Sequence, residues 1–260
     1  MDGLWLAALS GLIAGGTLLV GAGLAWFVDI PQRLVAGIMA LGAGVLISTL
    51  AFELVEEAAE AGGLIPVSIG FLGGAILYIV ADWLVTRPRK RTSVPPPAPP
   101  TVAPKNIAVR RGARLAGGTG VAIAIGALID GIPESIVMGL SVLQGGISIP
   151  IVAAIAISNF PEGLGSTAAL KRGGSSGRAV ALLWCGIAVV TIVASVAGFA
   201  VFQAAPVSLI AVITTVAAGG LLAMLCNTMI PEAFAQQRGL TGLWATIGFL
   251  CAFLLHELTG

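Results

Sequence analysis

Residues 179–203, AVALLWCGIAVVTIVASVAGFAVFQ, contain no acidic or basic side chain. A run of this length, above about 20 residues, matches the hydrocarbon core of a bilayer. Lipid offers no partner to a backbone amide, so such a run must satisfy its own amides as a helix. Seven further predominantly apolar segments are long enough to span, at roughly 3–27, 34–55, 64–85, 116–142, 149–170, 207–230 and 240–258. The chain therefore reads as all-α, a polytopic membrane helix bundle with eight transmembrane helices in one membrane domain over residues 1–260. Composition agrees, with 57% hydrophobic and only 10% charged residues, where soluble domains carry about a quarter charged. The net charge of +1 argues against a nucleic-acid partner.

The opening MDGLWLAALSGLIAGG has neither a basic leader nor a small-residue cleavage site, and reads as a retained first span. Cys185, Cys226 and Cys251 lie in apolar runs without CxxC spacing, which points to neither a disulfide framework nor a zinc finger. Gly11/Gly15 and Gly70/Gly74 have the small-xxx-small spacing of close helix contacts in lipid, with ordinary glycine packing as the simpler reading. Between spans three and four lies a Pro/Arg-rich linker, 87–114, which holds half of the chain's 14 prolines. It is expected to be an extended cytoplasmic spacer.

Basic residues give an independent test of the span count, because cytoplasmic loops retain Lys and Arg. Arg33 follows span one, eight basic residues follow span three, Lys171, Arg172 and Arg178 follow span five, and Arg238 follows span seven. All 13 thus fall in odd-numbered loops, which predicts that both termini are extracytoplasmic. Glu53, Glu56, Glu57 and Glu60 then crowd the outer end of span two, either as a cation attractor or as a solvated helix end.

The chain also resembles itself. GAGVLISTLAFELVEEA at 42–58 lies over GGLLAMLCNTMIPEAF at 219–234 with an offset of 176, and IGFL recurs at 69–72 and 247–250. An even-numbered span is thereby matched to an odd one, the mark of an inverted repeat. Two short motifs fit the same symmetry. DGIPES at 130–135 and SNFPEG at 158–163 align at an offset of 28, with Pro133 on Pro161 and Glu134 on Glu162. The expected architecture is a 3+2+3 inverted repeat with spans four and five at its centre.

An ionised carboxylate at mid-bilayer costs on the order of 3 kcal/mol on insertion scales, so it persists where it faces a cavity or a partner. No Lys or Arg lies in any span to neutralise Asp130, Glu134 or Glu162. A cation, a proton or water must serve. Asp130 and Glu134 are four residues apart and share a helix face, and Ser158, Asn159 and Glu162 repeat the arrangement. Pro133 and Pro161 should each free a carbonyl four residues earlier, those of Ile129 and Ile157. A plain kink with a protonated glutamate explains one such motif; a symmetric pair, with Asp130 beside it, favours a cation among the carboxylate, amide and hydroxyl oxygens.

At these residues the chain resembles the ZIP (Zrt/Irt-like protein) family of divalent metal transporters. The likeness covers nearly the whole chain, and SNFPEGLG, close to the His-Asn-x-Pro-Glu-Gly pattern of the family's fifth helix, carries it most specifically. It implies that the two motifs form a binuclear site on the transport path, with Asp130, Glu134, Ser158, Asn159 and Glu162 as its ligands and Glu134 and Glu162 in direct contact with the metal. Both motifs usually open with histidine, and here Asp130 and Ser158 stand in those places. The linker has no histidine either, and His256, near the end of span eight, reads as an interfacial residue. An oxygen-only site leans toward Mn²⁺, Fe²⁺ or Mg²⁺, although carboxylates also accept Zn²⁺.

The sequence thus predicts a secondary transporter moving a divalent cation (Zn, Mn or Fe) toward the cytoplasm across a plasma (inner) membrane. It would have no enzymatic activity and no cofactor beyond the transported ion. The expected partners are that cation and the lipid bilayer, with a second copy of the chain, as a homodimer, a candidate. The rival is a non-transporting scaffold or sensor with a degenerate metal site, supported by the missing histidines.

Overall fold

The computed structural model describes residues 2–86 and 120–259. The expected linker at 87–114 and the expected start of span four lie outside the described residues. Among the described residues, eight helices are long and apolar enough to cross a membrane, and there is no strand. They are α1 (Asp2–Phe27), α2 (Gln32–Gly62), α3 (Leu64–Thr86), α4 (Gly120–Gln144), α5 (Ile149–Arg172), α6 (Gly177–Phe202), α7 (Val207–Gln237) and α8 (Leu240–Thr259). Turn chemistry separates them. The Ser148 and Ser176 hydroxyls cap α5 and α6 by accepting from the Ile151 and Ala179 amides, each at 3.3 Å. Gly63 ends α2 at φ +83°, where a side chain would be strained.

Two helices outrun their sequence-based bounds. α2 continues to Gly62 and α7 to Gln237, each 31 residues, about 46 Å at 1.5 Å per residue against a hydrocarbon core of about 30 Å. The stretch EEAAEAGG, beyond the expected end of span two at residue 55, is helical through Gly62. Glutamate and alanine are strong helix formers, and polarity alone does not end a helix once it has left the lipid. Each long helix also contains a π segment, Leu50–Glu56 in α2 and Leu225–Met229 in α7. The second lies just before Pro231, whose ring would clash with the carbonyl of Asn227 in an unbroken α register.

Helices α1, α4, α5 and α6 pack together, α1 lying against α5 and α6, and α4 against α6. Around them α2 packs on α8 and α5, while α7 packs on α3 and α4. Glycines mediate the closest approaches. A Cβ on Gly11 would stand 2.7 Å from the Cα of Ile192, and one on Gly70 2.6 Å from the Thr215 hydroxyl. Those on Gly15 and Gly74 would meet the backbone of Ala188 and Val216. Both small-xxx-small pairs are therefore helix contacts, α1 on α6 and α3 on α7.

The apolar core joins α2, α4, α5 and α7 through Leu46, Leu50, Met138, Ile155, Met224 and Leu225. A second cluster surrounds the fully buried Trp184 of α6. Met138 and Met224 fill core volume, and Met39 packs at its edge. Cys185, Cys226 and Cys251 are exposed on the helix surfaces, where lipid would cover them.

Contacts between helix ends sort the loops into two faces. On one face Lys171, after α5, pairs with Asp29 at 3.5 Å and donates to the Trp26 carbonyl at 2.9 Å. There too the Gln237 amide, at the end of α7, donates to the Arg33 carbonyl. On the opposite face Ser148, before α5, meets Glu53 near the end of α2, and Glu53 meets His256 near the end of α8. Every described Lys and Arg lies toward the first face, while Glu53, Glu56, Glu57, Glu60 and Glu257 lie toward the second. The Lys171–Asp29 pair itself adds little stability, since Asp29 is 99% exposed.

Candidate metal-binding carboxylates between α4 and α5

Asp130 and Glu134 stand one turn apart on α4, and Ser158, Asn159 and Glu162 follow on α5. Asp130, Glu134, Ser158 and Asn159 are buried, each at most 5% exposed, and Glu162 is partly buried. The two helices bring their acids together, since Glu134 feels the carboxylate charges of Glu162 and of Asp130. No Lys or Arg shares this depth among the described residues. Oxygen Oε2 of Glu134 has no surface and no hydrogen-bond partner. A buried carboxylate oxygen without a donor is rare in native interiors.

The neutral groups are already oriented. Asn159 donates its side-chain amide to the Ala14 carbonyl of α1 at 3.2 Å, which leaves its oxygen as the group able to accept or to ligate. The Ser158 hydroxyl donates to the Ile155 carbonyl at 2.9 Å, so its lone pairs remain the ligating function. On α4 the Ser135 hydroxyl donates to the Gly131 carbonyl at 2.6 Å. All five sequence-predicted residues thus supply oxygen. Among the described residues, no group of three or more His, Cys, Asp or Glu converges tightly enough to hold a metal ion.

The glycines of the two motifs differ in purpose. A Cβ on Gly163 would overlap the Leu18 carbonyl of α1, and one on Gly21 the Phe160 carbonyl of α5, so these helices touch backbone to backbone beside the carboxylates. The Ile157 carbonyl, four residues before Pro161, lies 3.3 Å from the Cβ position of Gly42 on α2, and so borders that helix. By contrast a Cβ on Gly131 would find only the Thr191 methyl at 3.5 Å, an ordinary contact. The role of Ala14 was not legible in the sequence, because a backbone carbonyl carries no side-chain signature.

Fold and site together define a polytopic helical integral membrane protein with two buried acids on α4, Asp130 and Glu134, and a partly buried one, Glu162, on α5. No protein-family model matches the chain, and no curated protein matches its sequence.

Proposed function

We propose that this chain is a ZIP-like carrier that moves a divalent cation toward the cytoplasm through the Asp130, Glu134, Ser158, Asn159 and Glu162 cluster. The observation that carries this reading is the buried, unpartnered Oε2 of Glu134 beside two further carboxylates, with no described basic residue at that depth to compensate them. Divalent charge, supplied by the cargo, would relieve the repulsion among the three acids. Dehydration of the ion would be offset by the hydroxyl and amide oxygens already turned by their own hydrogen bonds. The chain contains no GxxxxGK[ST] nucleotide loop, so the reading takes the cation gradient or the membrane potential as the driving force.

A 3+2+3 inverted repeat is part of the same proposal, and the packing supports it. Exchanging α1 with α6, α2 with α7, α3 with α8 and α4 with α5 turns each major pairing into another that exists. The α1–α5 contact becomes α6–α4, α2–α8 becomes α7–α3, and α2–α5 becomes α7–α4. The 31-residue length and the π segment are shared by α2 and α7, the two helices matched by the offset of 176. Orientation follows from the basic face, which we assign to the cytoplasm. A single cysteine at Ser175, with the native three replaced, should then react with an impermeant maleimide only from the cytoplasmic side, and one at Gln203 only from outside. The opposite labelling pattern would reverse the transport direction.

Uptake of Mn²⁺, Fe²⁺, Zn²⁺ and Mg²⁺ into proteoliposomes, each competed by the others, tests the function. Manganese or iron uptake that excess zinc inhibits weakly is the expected result for an all-oxygen site. Adding imidazole at the two departing positions, Asp130→His with Ser158→His, should move the preference toward zinc by about tenfold. Absence of uptake for every ion would favour the scaffold or sensor reading.

A further inference from the structure

On the acidic face, three helices meet at one carboxylate. Glu53, in the π segment of α2, is 10% exposed at its side chain. Its Oε2 accepts from the Ser148 hydroxyl at 2.9 Å, and its Oε1 lies 2.7 Å from Nδ1 of His256 on α8. Ser148 also accepts from the Ile151 amide as the N-cap of α5, so one hydroxyl joins the end of that helix to Glu53. The imidazole stacks on Phe52, with ring centroids 5.6 Å apart at 25°. Phe52 in turn packs on Phe253 of α8 at 5.3 Å. The contact therefore has a built aromatic wall, unlike a casual surface pair.

We propose that Ser148, Glu53 and His256 form a pH-sensitive latch that clamps the N-terminal end of α5, the helix carrying Ser158, Asn159 and Glu162, to α2 and α8. A π segment at the clamping carboxylate suits the role, since π-bulges commonly mark functional positions in helices. Only the protonated imidazole makes an ion pair with Glu53, and charge-assisted hydrogen bonds are the strong ones. Histidine ordinarily titrates at about 6.5. The latch is therefore closed at acid pH and loosens as pH rises through the imidazole titration. The other charged groups facing His256 are Glu56 and Glu57 of α2 and Glu257 of α8, with Glu60 beyond Glu57. None of them is basic, so His256 is the only described cation in the cluster. The conformational half stands on these contacts alone. The functional half, that a closed latch slows opening of the site to this face, rests on the transport reading.

Hydrogen exchange of the full-length protein in nanodiscs, read over 148–155 and corrected for intrinsic rates, separates the two halves. In the wild type, exchange should rise on the order of tenfold between pH 6 and pH 8.5. His256→Gln, which keeps a donor but does not titrate, should remove that pH dependence. Glu53→Gln should exchange at the fast rate throughout. Unchanged wild-type exchange over this range, or the same rise in His256→Gln, overturns the latch even if Glu53→Gln does not fold. In proteoliposomes, acidifying the outer solution from pH 8 to pH 6 should slow wild-type uptake and leave His256→Gln unaffected. Uptake that slows equally in both overturns the functional half. A latch that titrates in a protein with no metal uptake would refute the transport reading while leaving the latch in place.

Discussion

Metal uptake should fall on the order of 100-fold in Glu134→Ala and in Glu162→Ala, to the background of empty liposomes. The two acids are carried on α4 and α5, near enough for their charges to interact. Removal of one carboxylate takes away a ligand and part of the charge that would replace the ion's hydration. The more discriminating variant is Glu134→Gln, which keeps the shape. Oε2 of Glu134 is buried without a donor, so ionising this group in the metal-free protein would cost stability. Glu134→Gln should therefore melt in detergent at the same temperature as the wild type or higher while uptake is lost. A residue kept for packing would show the reverse, lower melting with uptake retained. Metal should raise the melting temperature of the wild type, since a ligand present at 100 times its Kd stabilises by about 2.7 kcal/mol, and should leave that of Glu134→Gln unmoved.

The second large effect is structural. Gly74→Ala and Gly219→Ala should each prevent α3 from seating on α7, because the added Cβ would overlap the backbone carbonyls of Val216 and Phe71. Gly44→Ala and Gly248→Ala should do the same between α2 and α8, where the obstacles are the Ala245 and Leu41 carbonyls. A side chain can rotate away, but a backbone carbonyl moves only with its helix. Overpacking typically costs about 1–3 kcal/mol, and here whole helices must separate. In contrast, Gly16 and Gly23 have nothing within 4 Å of the place an added Cβ would take. Their alanine variants should be neutral or stabilising by up to about 1 kcal/mol, the usual gain of alanine over glycine in a helix. Thermal melting in detergent, read beside yield of monodisperse protein, distinguishes the two sets. Equal behaviour of all six would remove the close-contact assignment.

Much of this arrangement was legible in the residue order. Span positions followed from apolar length alone, since a bilayer imposes both a minimum length and a helix. The sorting of Arg33, Lys171, Arg172, Arg178 and Arg238 to one face was readable from loop parity, and the contacts among helix ends agree with it. Burial of Asp130, Glu134, Ser158 and Asn159 was foreseeable from their place inside apolar runs. The far ends of α2 and α7 were less legible. Hydropathy reports where lipid stops, and a helix rich in alanine and glutamate continues past that level until a residue such as Gly63 turns it.

His256 shows the limit most clearly. Taken by itself it is a single histidine near a helix end, with no spacing to any partner, and the interfacial reading was the natural one. Its contact with Glu53 crosses 203 positions. Only the packing of α8 on α2 brings the two together. Asn159 and Ala14, 145 positions apart, make the same point at the carboxylate cluster.

Residue order is enough to indicate the solvent, the helices able to cross it, the two faces and the burial of Asp130 and Glu134. Each follows from local chemistry that a bilayer either accepts or rejects. Which helices touch, which glycines permit it, and which carboxylate joins three helix ends emerge only in the folded bundle. Those depend on close packing between distant segments, where a methyl group or a carbonyl determines the outcome and hydropathy is silent.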